Sequence, residues 1–114
     1  MWLITTFGFF SVVRKPDDVK SDTLTIRARV REGLEELRKI ALPALGPIRD
    51  DEGTDYPFRA SAPRAAVSAA MARIAQDIDY ANFKDAVAAR QGKARAHRYG
   101  EVWGTLLRLE KGGR

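Results

Sequence analysis

Phe7 and Phe9, set on either side of Gly8 in a run of β-branched and aromatic residues, have the types and spacing to stack against nucleic-acid bases. Residues two apart on a strand share a face, so the two rings would form one platform. Arg27 and Arg29 alternate in the same way on a second extended stretch. Beside the rings they would add charge that attracts phosphate. A second set comprises Arg90, Lys93, Arg95 and Arg98, with Lys84 and His97 close by and only Asp85 of opposite charge among them. It could neutralise several phosphates, although its spacing around a bent helix scatters the charge. Both sets also have a plainer reading. The rings could be core beneath C-terminal helices, and the basic residues a solvated helical face.

Other chemistry is poorly provided for. His97 is the sole histidine; at helical spacing it meets Glu101, and no nucleophile or second ligand accompanies it. Asp50, Asp51, Glu52 and Asp55 are acidic but lack the alternating ligands and closing Glu of a calcium loop, so they read as a polar hairpin turn. Asp79 reads as the N-cap of a following helix. Trp2, Tyr56, Tyr80 and Tyr99 could line a pocket, but large aromatics more often fill cores. There is no cysteine, glycine-rich phosphate loop, dinucleotide fingerprint or serine elbow. No catalytic residue, metal ligand or cofactor is therefore expected, and an enzyme is the least favoured class.

The elements that would position these residues can be read from periodicity. Residues 1–14 read as one strand, apolar at odd and even positions alike. Trp2, Ile4, Phe10 and Val12 face one side, Leu3, Phe7, Phe9 and Val13 the other, and both sides need cover. Lys15–Asp22 reads as an exposed turn. Thr23–Val30 alternates, with Leu24, Ile26, Ala28 and Val30 opposite Thr25, Arg27 and Arg29. A helix over 31–42 follows, apolar at Leu34, Leu37 and Ala41 and stopped by Pro43. Residues 46–50 form a weak strand, and 55–61 a second one with Tyr56, Phe58 and Ala60 alternating. A helix begins after Ala62, striped by Ala66, Val67, Ala70, Met71, Ile74 and Ile78. This order, hairpin–helix twice over, predicts an α+β fold (ββαββα) in which a four-stranded, mainly antiparallel sheet carries both helices on one face. Two C-terminal helices, about 80–91 and 94–109, are separated by a break at Gly92 and would cover the second face or pack at an edge.

At 114 residues and 45% hydrophobic, the chain suits one core. We expect a single domain over 1–110 and a flexible end at 111–114. The apolar N-terminus lacks preceding basic residues and is shorter than the roughly 20 residues that span a bilayer, so no membrane role is expected and the cytoplasm is the default location. The net charge of +5 is uneven. Residues 1–57 hold nine basic and ten acidic side chains, and 58–114 hold eleven and five, a distribution compatible with a polyanionic partner.

Phe7-Gly8-Phe9-Phe10-Ser11-Val12 resembles the aromatic–glycine–aromatic centre of the RNA-recognition-motif signature, though Thr5 stands where a basic residue is usual and the strand order differs. Trp2–Val13, Gly53-Thr54-Asp55-Tyr56, Asp79–Lys84 and Tyr99–Trp103 together resemble a family of short bacterial proteins without an established activity. That resemblance implies a stand-alone bacterial protein and supplies no site residues. The residues point to a non-catalytic binding module with nucleic acid as partner. The alternative is a protein-interaction or self-association module using an apolar sheet face through Phe7 and Phe9.

Overall fold

The structure is a computed structural model that describes residues 1–112. The chain folds into two compact units, Met1–Ile78 and Asp79–Arg114. The first unit is α+β. Its strands β1 (Trp2–Thr5), β2 (Gly8–Val13), β3 (Thr23–Ala28), β4 (Arg49–Asp50) and β5 (Phe58–Pro63) form one antiparallel sheet in the order β1-β2-β3-β5-β4. The helices of this unit are α1 (Pro16–Ser21), α2 (Arg31–Ile40) and α3 (Arg64–Gln76).

The sheet has five strands instead of four because the first thirteen residues are a hairpin. Thr5 pairs with Gly8, leaving Thr6-Phe7 as the turn. The buried Thr5 hydroxyl builds that turn, donating to the Gly8 carbonyl at 3.0 Å and accepting from the Phe7 and Gly8 N–H groups at 3.2 and 3.1 Å. The stretch expected as an exposed turn, 15–22, is also different: it contains α1. Pro16 suits its first position, and Asp18, only 3% exposed, accepts hydrogen bonds from Lys15 N–H, Thr23 and Thr25.

The core lies on one face of the sheet. Phe10, Val12, Ile26, Ala28, Ala60 and Ala62 meet Leu34 and Leu37 of α2 and Val67 and Ala70 of α3. The helical stripes read from the sequence are thus the faces that pack. Gly8 and Gly33 let β2 and α2 approach across the Phe10 ring. A Cβ on Gly8 would stand 2.8 Å from Phe10 Cζ and 3.4 Å from Gly33 Cα. The glycine of the aromatic–glycine–aromatic run therefore serves packing.

In the second unit, α4 (Phe83–Gln91) and α5 (Lys93–Leu106) are joined by Gly92 alone, and a short 3-10 helix (Leu107–Lys111) follows. Gly92 adopts φ 94°, ψ 163°, a region that essentially only glycine occupies. Phe83 stacks on Tyr99 at 6.4 Å, with Tyr80 against Phe83, and Val87 and Ala96 are buried. The break at Gly92 is where the two apolar phases required it. The cap of α4 is Asn82, which accepts the Asp85 N–H at 2.9 Å, and not Asp79. Of the end expected to be flexible, residues 113 and 114 lie outside the described residues. Among the described residues no helix is long and apolar enough to cross a membrane.

Candidate functional site

Cross-strand partners in an antiparallel sheet project to the same side. The register therefore defines one row across all five strands on the face away from α2 and α3: Trp2, Ser11, Arg27, Arg59 and Arg49. Phe9, paired with Ile4, stands in the next row. Arg29 follows β3 and lies with its guanidinium carbon 5.9 Å from the Phe9 ring centre. Of the four residues expected to act together here, Phe9, Arg27 and Arg29 meet. Phe7 does not. It sits in the hairpin turn, 8% exposed, tilted against Phe10 in the core on the other side of the sheet. The alternation that paired it with Phe9 is interrupted by the turn at Thr6-Phe7.

The centre of the site is Tyr56. Its ring is buried, and the guanidinium carbons of Arg27 and Arg29 lie 4.6 and 4.7 Å from its centroid. Phe9 meets Tyr56 at 6.3 Å, and Trp2 meets Phe9 edge-on at 5.7 Å. Tyr56 does not continue the alternation of Phe58 and Ala60, which face the core; Pro57 lies between, and β5 begins only at Phe58. A cation over an aromatic face is held by the ring quadrupole, at about 0.5–2 kcal/mol depending on desolvation. The arginines are also tied by hydrogen bonds. Arg27 donates to Ser11 Oγ at 2.7 Å, while its buried Nε has no partner. Arg29 Nε donates to the Asp55 carbonyl at 3.0 Å, and Arg59 Nε to the Tyr56 carbonyl at 3.1 Å.

Trp2 is 67% exposed, while Ile4, Phe9 and Val13 are half-buried. The opening segment, expected to be covered on both faces by the chain or by a neighbouring molecule, is thus covered on the α2 side, while on the other face the chain leaves Trp2 exposed. At the far end of this face, α1 lays Asp18 against Thr23 and Thr25. Burial acts to raise the Asp18 pKa. The hydrogen bonds from Thr23, Lys15 N–H and Thr25, with the attraction of Arg49, outweigh it and hold the carboxyl below its ordinary value.

The second basic set lies in the other unit. Arg90 and Lys93 are exposed near Gly92. Arg95 is half-buried and turns back to donate to Gln91 at 3.1 Å, and Arg98 pairs with Glu101 at 3.3 Å. His97, its side chain 80% exposed, lies 4.0 Å from Glu101. These residues do not form a single stripe.

Trp2 as the exposed ring, Tyr56, Arg59 and Arg49 were not singled out for this site from the sequence. Arg59 had a signal, since it alternates out of phase with Ala60 and Ala62; Arg49, on a two-residue strand, had none. Comparison with protein-family models, with curated proteins and with solved structures finds no match for this chain.

Proposed function

We propose that the chain is a non-catalytic binding module of the bacterial cytoplasm whose partner is single-stranded nucleic acid, held on the sheet face that carries Trp2, Phe9, Tyr56, Arg27, Arg29 and Arg59. One observation carries this reading: the exposed Trp2 ring and the arginine row lie on the same face, linked through Phe9 and Tyr56. Bases stack on such rings without strong sequence preference, and arginines beside them meet the backbone. Fluorescence anisotropy of a labelled single-stranded oligonucleotide across a salt series tests it. Neutralising three phosphates predicts a log–log salt slope of about −2. Trp2→Ala should weaken binding by about 1–3 kcal/mol, the worth of one base stack. No binding at low ionic strength rejects the proposal.

A second reading is self-association through the apolar strip of Trp2, Ile4 and Phe9, the first exposed and the others half-buried. Sedimentation at several concentrations separates the two, because a salt-insensitive dimer favours the strip as an interface between copies.

A further inference from the structure

Like charges placed directly opposite on adjacent strands repel, so a sheet gains nothing in stability from an uninterrupted arginine row. Arg27, Arg59 and Arg49 are nonetheless consecutive partners across β3, β5 and β4, and Arg29 shares the Tyr56 ring with Arg27. Carboxylate compensation falls mainly on Arg49, which attracts Asp18. Among the described residues no ion pair engages Arg27 or Arg29, and Asp51 stands 3.8 Å from Arg59 with its own side chain 57% exposed.

The way these side chains are anchored indicates what completes them. Arg29 and Arg59 each commit Nε to a carbonyl, and those carbonyls belong to consecutive residues, Asp55 and Tyr56. Their terminal nitrogens make no hydrogen bond among the described residues. Two planar forks are thereby held from one loop, with their outer donors left over. A pair of terminal guanidinium nitrogens can meet a tetrahedral oxyanion by paired N–H···O bonds, which a lysine ammonium cannot reproduce. Arg27, its guanidinium carbon 4.6 Å from the Tyr56 ring centre and fastened to Ser11, adds a further positive charge at the same ring.

We infer that Arg29 and Arg59 form a phosphate site, with Arg27 adding charge through the shared Tyr56 ring. This deepens the nucleic-acid reading by naming where one phosphate sits, and the same chemistry would take the phosphate of a small phosphorylated molecule. The full chain is titrated with inorganic phosphate against chloride at matched ionic strength, following the arginine Nε–Hε resonances by NMR. Saturable shifts at Arg29 and Arg59 are expected, and Arg29→Lys or Arg59→Lys should weaken phosphate binding about tenfold, the loss of one charge-assisted fork contact. The wild-type titration decides the matter even where a variant folds poorly. Shifts no larger than those in chloride overturn the site. A labelled single-stranded oligonucleotide forms the second arm. If phosphate binds and the oligonucleotide does not, the site stands, its ligand is a small phosphate ester, and the nucleic-acid reading falls. If the oligonucleotide binds and both lysine variants bind it as tightly as wild type, the reading stands and the site falls.

Discussion

Gly8→Ala separates two explanations of the aromatic–glycine–aromatic run. A methyl group on Gly8 would meet Phe10 Cζ at 2.8 Å, closer than unstrained carbons come, with the α2 backbone at Gly33 behind it. Phe10 is fully buried and its ring also borders Gly33, so neither ring nor helix can move without disturbing the core. Overpacking of this kind costs about 1–3 kcal/mol. For a unit of this size each kcal/mol lowers Tm by about 4–8 °C. Thermal unfolding followed by far-ultraviolet circular dichroism reads the loss directly. Phe10→Leu removes the atom that clashes, so adding it to Gly8→Ala should cost less than the sum of the single changes, a coupling characteristic of residues in contact. If Gly8→Ala leaves Tm unchanged and instead weakens oligonucleotide binding, the glycine serves a ligand and the packing argument is wrong.

Two further outcomes follow from the fold. Phe7→Ala should destabilise the first unit by about 3 kcal/mol, as loss of a buried aromatic does, while the protein that remains folded binds oligonucleotide like wild type; selective loss of binding would return Phe7 to the site. Asp18 has a folded-state pKa below its ordinary 3.8, so its contribution is fully present above that value and disappears as pH falls through the lower folded-state value. Asp18→Asn should therefore unfold more easily in denaturant near neutrality by about 1–3 kcal/mol, and the gap from wild type should close in strong acid. A gap constant with pH would refute the assignment.

The long periodic segments were legible in the sequence. Thr23–Ala28 alternates because one side packs apolar groups under the helices while the other carries hydrogen-bonded Thr25 and Arg27, and α2 and α3 carry continuous apolar stripes. Gly92 was legible because two helical phases disagreed across it. The hairpin was not, since Thr6 and Phe7 keep negative φ and carry no Asn-Gly or Asp-Gly signal; its turn is written in the Thr5 hydroxyl. Helix α1 was hidden for a related reason. Pro16-Asp17-Asp18 has the composition of a turn, and what holds the six-residue helix is the bonding of Asp18 to Thr23 and Thr25, which only the folded chain supplies. Half of the sheet site was visible as Phe9, Arg27 and Arg29. The remainder depends on register, because nothing in the primary structure says that Arg59 and Arg49 stand beside Arg27.

The single-residue joint between α4 and α5 leaves that helical pair without slack. One torsion pair at Gly92 sets how far one cylinder is rotated and slid against the other, so the ring stack of Phe83 on Tyr99 is aligned from the hinge outward. An inserted residue there would turn α5 through about 100° were the helix to continue, carrying Tyr99 off its seat. Tolerance to lengthening, usual where helices are linked by loops, should be absent at this position.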